Sequence, residues 1–197
     1  VAIRLAERFG LNVDAVELDP AMAELAGERI AASPDCDRIT LHKARSDAVL
    51  AAHPPFDLIV ALGTTEPVGG GVRDPEGMLS GLAAHLAPGG HLLWGDLVWI
   101  AEPPAPLRQI VELQNLYTDD AGWRAAATAA GLTVLSGEVS SQDVWDAYGR
   151  TMLDAVAAWT AARPEHPDTP ALSARARQVQ MMFDFGRGFM GFGLYLL

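Results

Sequence analysis

An apolar run that ends on an acid and turns at once into a helix constrains this chain more than any other stretch: Val13-Asp14-Ala15-Val16-Glu17-Leu18-Asp19-Pro20-Ala21-Met22. In a doubly wound sheet, a carboxylate at the C-terminal tip of the second strand stands where both hydroxyls of a ribose can donate to it. The run therefore reads as a nucleotide-binding signature with Glu17 as the acid. Pro20 would open the next helix at its first turn, where a missing N–H costs nothing. A plainer reading also fits, a strand that ends on a solvated acid with Asp19 as a helix cap.

Around this run the apolar periodicity alternates between strand and helix. Residues 2, 3, 5, 6 and 9 are apolar against charged 4, 7 and 8, which predicts an opening helix capped by Gly10. A strand over Asn12–Leu18 follows, then a helix from Pro20 to about Ala32 with Met22, Leu25, Ala26 and Ile30 in one apolar stripe. Arg38–Lys43 alternates as a strand, a short helix comes next, and Phe56–Leu62 reads as a buried strand between Pro55 and Gly63. A helix from Pro75 to about Leu86 stops at Ala87-Pro88-Gly89-Gly90, ahead of a strand over His91–Asp96. Gly122–Leu135 reads as helix, glycine cap and strand. Gln142 to about Asp184 is helical in pattern, broken where three prolines fall within Arg163–Pro170. Gly191–Leu197 closes as a strand able to pair antiparallel beside the preceding one. This alternation predicts an α/β fold with a doubly wound, mostly parallel sheet in a single domain over residues 1–197. Residues 142–184 form a helical insertion before the last strand, near the carboxyl edge where ligands bind in open α/β sheets.

The chain has 197 residues, of which 14 are basic and 25 acidic, giving a net charge of −11. That balance argues against attraction to a phosphate backbone and so against a nucleic-acid partner. The lone Cys36 excludes an internal disulfide and has no second thiol or His at metal spacing. The cytoplasm is the default compartment for such a chain, and no apolar stretch approaches the roughly 20 residues that span a bilayer.

The Glu17 run and the passage Leu86-Ala87-Pro88-Gly89-Gly90-His91-Leu92-Leu93 together resemble the class I, Rossmann-like S-adenosylmethionine-dependent methyltransferases. Trp145-Asp146-Ala147-Tyr148 and the ending Gly191-Phe192-Gly193-Leu194-Tyr195-Leu196-Leu197 are similar to runs in a group of uncharacterised bacterial methyltransferases. The resemblance implies S-adenosylmethionine as cofactor, with Glu17 on the ribose, Leu18 against the adenine, and Leu62 and Gly63 beside it. In that family a strand and a glycine-rich loop precede the helix on which this chain opens. The resemblance therefore implies a sheet without its first strand and a chain truncated at its N-terminus. The family's adenine-binding Asp falls on Arg45, which has only donors. Ser46 or Asp47 takes that part if the loop shifts by one or two residues; otherwise Asp47 merely caps the helix beginning at Ala48.

In the same family, methyl acceptors meet the cofactor at the loop Gly63-Thr64-Thr65-Glu66-Pro67-Val68-Gly69-Gly70-Gly71. Methyl transfer is an in-line displacement at a sulfonium carbon, so the protein mainly aligns the nucleophile and excludes water. Where the acceptor must lose a proton, Glu66 is the candidate base and Thr65 the candidate orienting group. The closer relatives carry a His where Glu66 stands. Three consecutive glycines also suit a mobile, solvated loop with no chemistry of its own. Trp99, with Trp145 and Tyr148 of the inserted helices, could wall an acceptor pocket. Those aromatics would make the acceptor small and partly apolar, and Glu66, Asp96 and Glu102 near the pocket would make it uncharged or cationic. Trp145, Tyr148, Met152 and Trp159 also fall at helical spacing, the pattern of a packing face. The five histidines are scattered: His42 and His91 read as structural, His53, His85 and His166 as surface positions, and no metal site is expected.

Three functional classes follow. One is a methyltransferase acting on a small molecule. A second is a nicotinamide-dependent oxidoreductase, since an acid ending the second strand serves either cofactor. The third is a non-catalytic fragment. The Pro-Gly-Gly passage and the antiparallel closing strand favour the first.

Overall fold

A computed structural model describes residues 1–53, 55–113 and 115–197 of the chain. Helix α1 (Ala2–Phe9) ends on Gly10, whose positive φ of 66° lets its N–H return to the Ala6 carbonyl. Strand β1 (Val13–Val16) leads into α2 (Pro20–Ala31), where the Asp19 carboxylate accepts from the Met22 N–H at 2.9 Å. Strand β2 (Ile39–His42) pairs parallel with β1 in the register Val13↔Ile39 to Val16↔His42. Helix α3 (Ser46–Ala52) connects to β3 (Phe56–Leu62), and α4 (Pro75–Ala83) to β4 (Leu86–Trp99). After α5 (Ala105–Val111) and α6 (Asp120–Ala129) come β5 (Ser136–Val139), the hairpin α7 (Gln142–Ala162) and α8 (Thr169–Gly186), and β6 (Met190–Leu196).

The six strands of the described residues form two sheets. One holds β1 and β2; the other runs β3-β4-β6-β5, with β3 and β4 parallel and β6 antiparallel to both its neighbours. Among the described residues β1 and β3 share no ladder, so the sheet divides at the place where the resemblance puts the first strand. The closing strand fits between β4 and β5 because Gly193 lets it lie close: a Cβ there would stand 2.6 Å from Val98 Cγ2. The principal core sits on this larger ladder, where Trp94, Met78, Leu79, Leu92 and Trp123 are buried under α4 and α6.

Several elements differ from the sequence expectation. Strand β1 is shorter than Asn12–Leu18, so Glu17 and Leu18 lie just past its tip. Strand β4 begins at Leu86 and runs to Trp99, because the Pro-Gly-Gly passage is absorbed as a bulge between the Phe56↔Leu86 and Leu58↔His91 pairs. Strand β5 begins at Ser136, after the Leu132–Leu135 stretch expected to form it, since β6 pairs from Leu196 with Ser136 onward. The α2 stripe is not buried as a unit: Met22 and Leu25 are exposed and Ala23 is the buried residue.

Candidate cofactor and acceptor site

The carboxyl ends of the parallel strands meet at one edge. Ser46, opening α3 after β2, donates its hydroxyl to the Pro67 carbonyl after β3 at 2.7 Å and so ties the two ladders together there. Glu17 is half-buried at the β1 tip; its backbone N–H bonds to the His42 carbonyl, and its Oε1 accepts from the Asp19 N–H at 2.9 Å. Next to it Leu18 presents an exposed apolar side chain, and Leu62 does the same at the end of β3, followed by Gly63 with φ 61°. A carboxylate at a strand tip with an exposed leucine directly after it has the chemistry for a ribose and an adenine face, so the residues present suit the nucleoside half of the implied cofactor.

Asp47 is engaged rather than open. Arg45 donates to it through Nε at 3.1 Å and Nη2 at 3.2 Å, and its own helix donates the Ala48 N–H at 2.9 Å. The Arg45 hydrogen bond holds the Asp47 carboxyl below the usual carboxylate range. The same carboxylate lies against Gly69, where a Cβ would collide with it and where φ is 67°. Only glycine meets both conditions, which gives the second glycine of the loop a packing reason of its own.

The Gly63–Gly71 loop rests on a buried polar latch that sequence reasoning missed. Asn115, 2% exposed, donates from Nδ2 to the Thr64 carbonyl at 2.9 Å and to Asp96 Oδ2 at 3.3 Å, and its Oδ1 accepts from the Glu66 N–H at 3.2 Å. Glu66 itself takes a left-handed φ of 45°, a strained conformation for a non-glycine residue that the latch holds in place. Asp96, 3% exposed, accepts from the Leu97 N–H at 2.8 Å; burial pushes its pKa up to about 6. The Thr64 hydroxyl is buried nearby and has no partner among the described residues. Thr65 is exposed on the same loop.

The remaining expected acceptor residues are distributed differently. Trp99 is core: it is 6% exposed, its indole N–H donates to Glu112 Oε1 at 2.9 Å, and Arg108 lies over its ring. Trp145 is likewise 6% exposed and packs with Trp99, Leu107 and Met190, its ring 4.8 Å from Phe183; it docks the α7–α8 hairpin rather than walling an open pocket. Tyr148, one turn on, is exposed. Of the acids, Glu102 shares the wall of an open cavity with Trp99 and pairs there with Arg108 at 3.2 Å, whereas Asp96 lies buried beneath the loop. The histidines are not all scattered: His42 and His53 approach Asp14 on the β1–β2 face.

Residues 1–92 match the model of a family described as a methyltransferase domain. Among solved structures, the chain is similar to a SAM-dependent methyltransferase from Geobacter sulfurreducens in complex with S-adenosyl-L-homocysteine. The two share 21% identity at a TM-score of 0.74 over 97% of this chain and 76% of that one. A second, from Thiobacillus denitrificans and also in complex with S-adenosyl-L-homocysteine, shares 20% identity at a TM-score of 0.76 over 97% and 77% of the two chains. A mycolic acid cyclopropane synthase, CmaA1, complexed with SAH and CTAB, shares 17% identity at a TM-score of 0.74 over 98% and 72%. No curated protein sequence matches the chain. The chain has the class I, Rossmann-like methyltransferase fold, and its first 92 residues are those that match the methyltransferase-domain model.

Proposed function

We propose that the protein is an enzyme that transfers a methyl group from S-adenosylmethionine to a small-molecule acceptor. The observation that carries the reading is Glu17, a half-buried carboxylate at the tip of β1 between exposed Leu18 and the end of β2. The titles of similar structures support the cofactor, since two of those methyltransferases were crystallised with its demethylated product. The whole chain is read as one domain with residues 142–184 as its helical insertion. No described helix is long and apolar enough to cross a membrane, and the net charge of −11 opposes binding to nucleic acid; we place the protein in the cytoplasm.

Bound at the strand edge, the cofactor supplies an electrophilic methyl on a sulfonium. Glu17 binds the ribose hydroxyls, Leu18, Leu62 and Gly63 lie along the adenine, and Ser46 and Asp47 close that side. Asn115 fixes the backbone of Thr64 and Glu66, so the latch positions the two side chains that address the acceptor. Thr65 orients the acceptor, and Glu66 takes its proton where one must leave. Tyr148 offers the open aromatic surface of the hairpin, with the Trp99 and Trp145 cluster behind it as support.

Isothermal titration with S-adenosylhomocysteine tests the cofactor half. Glu17→Ala should weaken binding by about 1.5–3 kcal/mol, the range for hydrogen bonds to a charged group. Equal affinities would remove Glu17 from the site. For the acceptor half, Glu66→Gln should lower turnover more than it alters cofactor affinity.

A further inference from the structure

We infer that Asp14, His42 and His53 form a binding site for a divalent transition-metal ion of the zinc class. Asp14 and His42 share one face of the β1–β2 pair, because Asp14 is two residues from Val16, and Val16 is the register partner of His42. The opposite face carries Leu41 and is covered by α2, where Gly27 approaches the Leu41 side chain. His53, just past the end of α3, completes the cluster from a third segment. His42 Nε2 lies 2.7 Å from Asp14 Oδ1, and His53 Nδ1 lies 4.0 Å from Asp14 Oδ2. The two imidazoles stand edge to face with centroids 5.0 Å apart, and one donor atom from each residue falls within 4.8 Å of the others.

Zinc binds imidazole nitrogen and carboxylate oxygen at roughly 2.0–2.2 Å, which sets tetrahedral donors about 3.3 Å apart. The observed separations of 2.7 and 4.0 Å bracket that value. A hydrogen bond between His42 and Asp14 explains one nitrogen and one oxygen. It leaves unexplained why a second imidazole from a distant segment aims a nitrogen at the other carboxylate oxygen. Two neutral imidazoles and one carboxylate are the donor set of zinc and its first-row neighbours, whereas magnesium and calcium prefer all-oxygen shells. The side chains are 21%, 29% and 31% exposed for His42, Asp14 and His53, enough for an ion and a water ligand to enter. A bound ion would join β1, β2 and the end of α3, the layer that also carries Glu17. Binding would stabilise that layer by mass action.

The test is calorimetric titration of metal-free protein with zinc chloride and, separately, magnesium chloride, with cobalt(II) absorption as a second readout. One zinc per chain is expected, no magnesium binding, and visible ligand-field bands on adding cobalt. His53→Ala and Asp14→Asn should each weaken zinc at least ~10-fold, as losses around metal sites do. His166→Ala, which alters a separate His–Asp pair, should leave zinc affinity unchanged. Should His53→Ala lose its far-UV circular dichroism, His53→Gln replaces it. No zinc binding to the native protein, unchanged affinity in the Asp14 and His53 variants, or loss of binding in His166→Ala would each overturn the proposal.

Discussion

In the strands β3-β4-β6-β5 and the helices α4 and α6 packed on them, Trp94, Trp123, Tyr195, Met78, Leu79, Leu82 and Leu92 are all at most 2% exposed. Around β1 and β2 the buried apolar residues are Ala6, Ala23 and Ile39, while Phe9, Val16, Leu18, Met22 and Leu25 remain exposed. The two ladders share one chemistry, apolar strands under amphipathic helices, yet only the larger buries big side chains on a shared core. The smaller is held by local devices: the Gly10 and Asp19 caps, the Asp14–His42 contact, and the Ser46–Pro67 tie to its neighbour. Stability is therefore concentrated away from the residue that we assign to the cofactor. A region with few buried apolar contacts opens at lower free energy than a packed core.

The largest effect that probes this contrast is truncation of an apolar side chain on each side of it. Trp94→Ala removes a fully buried ring that packs on Trp123 at 5.3 Å and should cost about 3–5 kcal/mol in denaturant unfolding. Met22→Ala, on exposed α2, should stay within about 0.5 kcal/mol. Comparable losses would mean that α2 shares the core and that the contrast is false.

A second measurement concerns the latch, in which Asn115 ties Asp96 of the larger sheet to the Gly63–Gly71 loop. Asp96 has its pKa raised from 3.8 to about 6, first by desolvation, so the native protein retains a proton that the unfolded chain releases. The contribution of Asp96 is complete below about pH 4 and is lost as pH rises through 6. Roughly two units at 1.36 kcal/mol each put the loss on the order of 3 kcal/mol. Asp96→Asn cannot titrate, so the stability of the native protein relative to this variant should fall between pH 4 and 6 and level off above. A flat difference across that window would show that Asp96 is ionised throughout.

Where local sequence determines structure, the elements were readable: Phe56–Leu62 forms β3 as expected, Gly10 caps α1, Asp19 and Pro20 open α2, and the prolines split α7 from α8. What was not readable depends on tertiary contact. Asn115 lies in no motif, and its partners Thr64 and Asp96 are 51 and 19 residues away. His42 and His53 looked isolated because their common partner, Asp14, reaches one across a strand register and the other past a helix end. Trp145 and Tyr148 share a helix and a similar spacing signal, yet the first is buried against Trp99 and the second exposed, a difference set by where the hairpin docks. The early start of β4 escaped because Pro and Gly residues break regular pairing yet are tolerated in a bulge.

The smallest effect gives the finest test of the comparison, because it uses the same chemistry in both regions. Asp19 caps α2 by accepting from the Met22 N–H at 2.9 Å, and Asp119 caps α6 by accepting from the Gly122 N–H at 2.7 Å. Replacing either by Ala removes one side-chain acceptor from a first helical turn, a loss of about 1 kcal/mol. Helix α6 carries Trp123 into the shared core, so Asp119→Ala should lower the global unfolding free energy by that amount and slow-exchanging amides throughout the larger ladder should follow. Helix α2 buries only Ala23, so Asp19→Ala should accelerate exchange in α2 while the global midpoint barely moves. Asp19 also donates its N–H to Glu17, so the same variant should weaken S-adenosylhomocysteine binding slightly if backbone order at the β1 tip matters to the ribose contact. Equal shifts in the global midpoint for both variants would show that the two ladders unfold as one cooperative unit, and the division of labour drawn from their burial would fail.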